Sequence, residues 1–343
     1  MNLSRFPTLI VAAAALTACG GGGGTAPTVD IPNGVRSGVA TAGADINAGN
    51  AASFAGPLAR AVLTGASGDL LDPTGGTTAS PSAAAGRPAM AAATPTLVGA
   101  TLMHWLGHLQ AGQTVAGSRR QALAVQTEVL PCTVSGTLQV SFDDADGDQA
   151  ISAGDVIAFL ATACVEDPAL PAINGGFTMT VNAATLASDG EPTALDVSAS
   201  FQDFTLAGYG TLNGAFRLWA RQETAASARL RISYLGTQVS EPTGAAVYDF
   251  DVDGLANVAT GSFELGGGFG LGGQTYAIAT VTRLGYAVDA SPSSGELRLR
   301  DAGGDEVRLL PRSALSFDLE YWPAGAAQPA LVLDDLLWDD YTD

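Results

Sequence analysis

Lysine is missing altogether: all 15 basic residues of this 343-residue chain are arginine, set against 34 aspartates and glutamates. The net charge of −19 argues against a nucleic-acid groove and against charge-driven adhesion to anionic headgroups, since both need an excess of cations. Histidine is nearly absent too. His104 and His108 are the only two, which removes most Ser-His-Asp geometries. No Gly-x-Ser-x-Gly elbow, phosphate-binding loop or dinucleotide fingerprint occurs. None of the three cysteines, Cys19, Cys132 and Cys164, sits in a Cys-x-x-Cys motif, so redox catalysis and zinc binding have no sequence support. After the N-terminus, no stretch is long and apolar enough for a transmembrane helix.

What is present begins with a targeting segment. Met1 to Arg5 carries one positive charge, and an apolar run follows from Phe6 to Leu16, broken only by Pro7 and Thr8. Such a run is too short to span a bilayer core, which takes roughly 20 residues as a helix, and it has the form of a secretory signal. Residues 1–18 therefore read as a signal peptide. Leu16-Thr17-Ala18-Cys19-Gly20 resembles the lipobox of bacterial lipoproteins. The resemblance implies a covalent lipid on Cys19 and membrane attachment through it. With glycine and not aspartate after the cysteine, it implies the outer membrane of the cell envelope. Five glycines, Gly20 to Gly24, then open a flexible tether assigned to residues 19–44.

Residues 45–71 are expected to hold a helix, because Phe54, Leu58, Ala61 and Val62 recur at the spacing of one helix face, although Pro57 lies inside it. Residues 72–96 are Pro, Gly, Ser, Thr and Ala and read as disordered linker. Residues 97–128 hold a second, buried helix and a connection. His104 and His108 are four apart on that helix, but no glutamate stands beside the first, so helix packing is the expected role and metal binding the lesser one.

From about residue 129 to 343 the period changes to two. Val134, Leu138, Val140 and Phe142 alternate with polar residues, as do Leu195, Val197, Ala199 and Phe201. The same holds for Phe216 and Leu218; Ile232 and Tyr234; Tyr248, Phe250 and Val252; and Leu315, Phe317, Leu319 and Tyr321. Asn174-Gly175, Asp189-Gly190 and the run Gly266 to Gly273 read as turns, while Asn213-Gly214 reads as a turn or a bulge. The expectation is a mainly β protein: a large curved antiparallel sheet or partly closed barrel of roughly ten to thirteen strands, with one or two N-terminal helices.

Between Cys132 and Cys164 lies a twelve-residue acidic loop. Asp144, Asp146 and Asp148 fill positions 1, 3 and 5, Ala150 position 7, Ser152 position 9 and Asp155 position 12. EF-hand and dockerin-type loops use this spacing to converge oxygen ligands on one Ca²⁺, so calcium is the candidate cofactor. Gln149 stands where the sharp turn usually takes glycine, and the flanks are strands; the competing reading is a solvated acidic turn. Folding the hairpin about Asp148 pairs Val140 with Val156 and Leu138 with Ala158. It also sets Cys132 opposite Cys164, predicting a disulfide in an oxidising compartment. A lipobox, polyglycine, and this hairpin between two cysteines together resemble a group of uncharacterised proteobacterial lipoproteins. That resemblance implies localisation and architecture, and no activity.

Arg217, Trp219, Arg221, Arg229 and Arg231 share strand parity and form a candidate patch for an anionic sugar or lipid headgroup. Asp249, Asp251 and Asp253 on the next strand are equally placed to neutralise it. The function expected first is a non-catalytic, lipid-anchored envelope protein whose β domain binds an envelope partner or supports an assembly. A carrier of a hydrophobic ligand or lipid comes second, and a carbohydrate-active enzyme third.

Overall fold

The computed structural model describes residues 29–66, 126–147, 152–165, 172–186, 192–206, 210–224, 227–241, 244–257, 259–287 and 290–341. After a 3-10 turn at Ala51–Phe54, α1 runs Ala55–Ala66. Fourteen strands follow. The first five are β1 Gln126–Pro131, β2 Ser135–Asp143, β3 Val156–Val165, β4 Ile173–Leu186 and β5 Pro192–Leu206. Next come β6 Gly210–Thr224, β7 Ser227–Glu241, β8 Gly244–Asn257, β9 Thr260–Leu271 and β10 Gln274–Ala287. The last are β11 Ser294–Arg300, β12 Glu306–Pro311, β13 Ser316–Trp322 and β14 Leu331–Leu337. They form a single antiparallel sheet in strict sequence order, and no ladder joins β14 to β1 among the described residues, so the sheet is not closed.

Alternation decides which side chains go in. Val197, Ala199 and Phe201 of β5, Ile232 and Tyr234 of β7, and Tyr248, Phe250 and Val252 of β8 are all buried on one face. Phe177, Phe201, Phe216, Tyr234, Tyr248 and Phe269 form a ladder of ring contacts along that face, with centroid separations from 5.5 to 6.2 Å. Phe54, Leu58, Ala61 and Val62 of the N-terminal helix are buried in the same core, as their spacing predicts. Pro57 is harmless there, because it falls in the first turn, whose N–H groups have no intrahelical acceptor. Leu315 departs from the expected alternation: it is 72% exposed, in the turn before β13.

Two Asn-Gly signals lie inside strands, the first where a turn is expected and the second as the bulge that was one of its two expected forms. Asn174-Gly175 is in β4, and Asn213-Gly214 is the bulge in β6. Each asparagine accepts a backbone N–H from a left-handed residue on the preceding strand: Asn174 from Ala163 at 2.8 Å, and Asn213 from Asp203 at 2.7 Å. The neighbouring Gly175, at φ +87°, leaves room for the Asp203 carbonyl, which a Cβ would overlap. Register shifts recur at this level between successive strands from β2 to β8. A row of bulges bends a sheet, which gives the curvature the sheet needs to wrap a helix. Of the run Gly266 to Gly273, Gly266 to Gly270 belong to β9, and only Gly272-Gly273, both at positive φ, make the turn to β10.

The segment assigned to the tether is in part ordered structure. Residues 29–46 cross the outer face of the sheet, with Val29 and Ile31 buried against Trp219 and Ala194, and Thr41 N–H bonded to the Thr275 carbonyl. Ile46 then donates its N–H to the buried Asp301 at 2.8 Å, and the chain enters the core as the helix. The polyglycine strand makes this crossing possible. A Cβ at Gly266 would lie 2.5 Å from the Arg36 carbonyl, and one at Gly38 would overlap the carbonyl of Gly267.

Candidate functional site

The outer-face patch forms as strand parity predicts, with Trp219 directly opposite Arg231, and Arg221 opposite Arg229. Its cations are paired within the sheet. Arg217 meets Asp196 at 2.6 Å, Arg221 meets Glu223 at 2.7 Å, Arg229 meets Asp253 at 2.8 Å and Arg231 meets Asp251 at 2.7 Å. Hydrogen bonds to Asp196 and Asp253 hold the Arg217 and Arg229 guanidinium groups above their ordinary range. Arg217 and Arg231 lie over the Trp219 ring, 4.6 and 5.7 Å from its centroid.

Asp251, fully buried, is the centre of this network. It accepts the Arg36 backbone N–H at 2.9 Å, Arg36 Nε at 2.9 Å, Arg231 Nη2 at 2.7 Å and Ser233 Oγ at 2.6 Å. Arg231 donates further to the carbonyls of Pro32 and Gly34, and Arg36 Nη2 to the Tyr234 carbonyl. A carboxylate with four donors and two guanidinium partners satisfies the condition for keeping charge in a buried setting. The patch is thus a clasp that holds residues 32–36 on the sheet. Sequence reading found its sheet half and missed Arg36. The usable signal was the lone arginine between Val29-Asp30-Ile31 and Gly38, in a stretch otherwise short of charge.

The acidic loop is organised by its own carboxylates. Asp155, fully buried, accepts N–H groups from Ala145 at 3.0 Å and Ser152 at 2.6 Å, one on each oxygen. Asp144 accepts the Gly147 N–H at 2.7 Å, and Ser152 Oγ donates to Asp146 at 3.1 Å, so positions 3 and 9 touch across the loop. Burial is the largest influence on Asp155 and raises its carboxyl above the ordinary 3.8; the two N–H bonds lower it, and Asp144 and Asp146 raise it again. Gly154 and the Asp155 carbonyl bond to Val181, which ties the loop to β4. Asp148 and Ala150 lie outside the described residues. Among the described residues no three carboxylate, histidine or cysteine groups converge tightly enough to hold a metal. The all-oxygen donor set suits a hard cation, and each Asp155 oxygen keeps a second lone pair for one.

Cys132 and Cys164 are disulfide-bonded, with Cα atoms 5.5 Å apart, but not through the predicted register. The ladder pairs Val140 with Phe159 and Leu138 with Ala161, a slip of three residues. An odd slip exchanges the faces, and it buries Ile157 and Phe159 where the predicted register would have buried Val156 and Ala158. Cys132 sits in the turn between β1 and β2, its N–H bonded to the Gly136 carbonyl, so the disulfide ties that turn to the end of β3.

Cys19, His104 and His108, the linker over 72–96 and most of the segment over 97–128 lie outside the described residues; β1 already begins at Gln126. Among the described residues no helix is long and apolar enough to cross a membrane. Compared with protein-family models, curated proteins and solved structures, the chain matches none.

Proposed function

We propose that the chain is a lipid-anchored protein of the cell envelope, attached to the outer membrane through Cys19, whose β domain is a non-catalytic binding or structural module. The observation that supports this most is the path of the chain after the proposed anchor. Residues 29–46 are clasped to the outer face by Asp251, pinned by Asp301, and continue as the core helix. A pull on such an anchor is borne by the whole fold, which suits a domain that carries load or holds a partner at a membrane. The inner face is occupied by the protein's own aromatic side chains and α1. Calcium is the proposed ion of the acidic loop, held by Asp144, Asp146, Asp148, Ser152, Asp155 and the Ala150 carbonyl.

The test is fractionation. Wild type should stay with membranes through a carbonate wash, and Cys19→Ser should leave them. Retention of Cys19→Ser after the wash would show another anchor and sink the proposal. One observation favours the carrier reading: the Tyr234 hydroxyl is buried within the aromatic ladder without a hydrogen-bond partner. A lipid or other apolar ligand co-purifying with the protein in native mass spectrometry would decide for the carrier.

A further inference from the structure

Two inner rows of β2–β5 are closed off from water. Val140, Phe159, Phe177 and Phe201 are successive cross-strand partners, and so are Phe142, Ile157, Met179 and Ala199. None of these side chains is more than 5% exposed, and Val140 and Met179 are 0% exposed. A pleated face that meets water leaves its side chains standing out into it, so these rows lie under a covering layer. The described interior elements lie over the other half of the sheet. α1 packs on β8, β9 and β12, and the 3-10 turn before it packs on β13. The last turn, Trp338–Tyr341, packs on α1 and β14. At about 4.8 Å per strand, β8 is about 14 Å from β5 and about 29 Å from β2, whereas a helix is about 10–12 Å across. The inner faces of β10 and β13 are themselves taken up, since Tyr276 meets Phe54 and Phe317 meets Trp338. The second half of the sheet therefore does not supply the layer.

We infer that residues 97–109 of this chain are the layer, docked on the inner face of β2–β5. The chain leaves the core at Ala66, the end of α1, and returns at Gln126 as β1, the strand beside this face. The connection, 67–125, lies outside the described residues. Within it Leu97, Leu102, Met103, Trp105, Leu106 and Leu109 bring large apolar side chains into a run without Asp, Glu, Lys or Arg. The stretch before it, 72–96, has Met90 as its only large apolar residue. Run and rows are both uncharged, so docking them buries no ion on either side. As a helix, residues 97–109 would be about 20 Å long, close to the roughly 19 Å width of four strands. The chain from Leu109 to Gln126 reaches about 55 Å when extended, which leaves the run free to lie anywhere on this face. The docking does not depend on a lipid at Cys19. It bears on the choice between a binding module and a carrier, because an apolar ligand reaches these rows only by displacing residues 97–109.

The experiment uses the full-length protein with the photoreactive residue benzoylphenylalanine in place of Trp105. After irradiation and digestion, the crosslinks should map to the inner-face peptides around Val140, Phe159, Met179 and Ala199. Failure to label β2–β5 overturns the inference, whether the label is found on β8–β14, on a second copy, on a lipid or nowhere. A lipid adduct would also speak for the carrier reading. Methionine oxidation gives an independent measurement. Met179 should resist hydrogen peroxide in the wild type and oxidise several-fold faster in Trp105→Ala with Leu106→Ala, while the circular dichroism of the sheet is kept. Equal protection of Met179 in the two proteins would show that something else covers it, and would overturn the inference. If the double variant loses the sheet signal, Trp105→Ala alone takes its place in the comparison.

Discussion

Asp251 and Arg36 stand 215 residues apart in sequence, yet the buried Asp251 carboxylate accepts both the backbone N–H and the Nε of Arg36. This one relationship joins the segment that follows the proposed anchor to the middle of the sheet. Asp251→Asn should therefore be among the most destabilising polar substitutions. It leaves Arg231, which is nearly buried, without its counter-charge, and breaking a buried pair from one side costs about 3–5 kcal/mol. Arg36→Ala should cost less, about 1–2 kcal/mol, because its side chain is 37% exposed and water replaces part of what is lost. Urea unfolding midpoints measure both. Equal, negligible shifts would mean that the clasp does not hold the fold together.

Gly38→Ala should lift residues 29–46 from the sheet, because a Cβ there overlaps the Gly267 carbonyl and a backbone neighbour cannot step aside cheaply. Proteolytic cleavage within 29–46 should become rapid in this variant while the sheet's circular dichroism is kept. Combined with Arg36→Ala, the loss of stability should be well short of additive, since both changes release the same segment.

Reducing the Cys132–Cys164 disulfide should lower stability by about 3–4 kcal/mol on the chain-entropy estimate, for a sequence separation of 32 residues. The loss should be smaller if the β2–β3 hairpin persists in the unfolded chain. A Cys132→Ala, Cys164→Ala double variant compared with wild type in urea, with and without reductant, measures it. Wild type alone should respond to the reductant.

The acidic loop carries a pH dependence of definite sign. Asp155 has a folded-state carboxyl raised above 3.8, chiefly by burial. Its contribution to stability is therefore fully present below pH 3.8 and declines as pH rises through the folded-state value. A bound cation favours the ionised form and works in the opposite direction, so calcium stabilisation should grow as pH rises through the same range. At 1 mM calcium and a Kd of about 0.1 mM, linkage gives about 1.4 kcal/mol. That corresponds to a rise in Tm of roughly 2–4 °C for a domain of this size. Asp146→Ala with Asp148→Ala should fold and lose the shift, and magnesium should substitute poorly. Melting curves against pH, with and without calcium, test both halves.

The sheet was legible because alternation reports burial directly: Val197, Phe201, Tyr234 and Phe250 are inward in sequence pattern and in structure alike. The Arg–Asp pairing was legible for the same reason, since parity places Arg229, Arg231, Asp251 and Asp253 on one face. Register was not, because a hairpin's centre depends on loop geometry. At β2–β3 the burial of Phe159 outweighed the symmetric fold about Asp148. The glycine-rich strand and the segment over 29–46 were each misread for want of the other. Gly266 to Gly270 looks like a turn until a second chain lies across it, and residues 29–46 look like tether until there is a surface without Cβ atoms to receive them. Asn174-Gly175 looks like a turn, and Asn213-Gly214 like a turn or a bulge, because the bond each asparagine makes to a bulge on the previous strand is a long-range contact with no local trace.

The most direct test of the account is the intact mass of the mature protein purified from membranes. The mature chain should begin at Cys19, with a mass exceeding that of the polypeptide by a diacylglyceryl group and an N-terminal acyl chain. A mature chain of unmodified polypeptide mass, or one that begins at any residue other than Cys19, would contradict it.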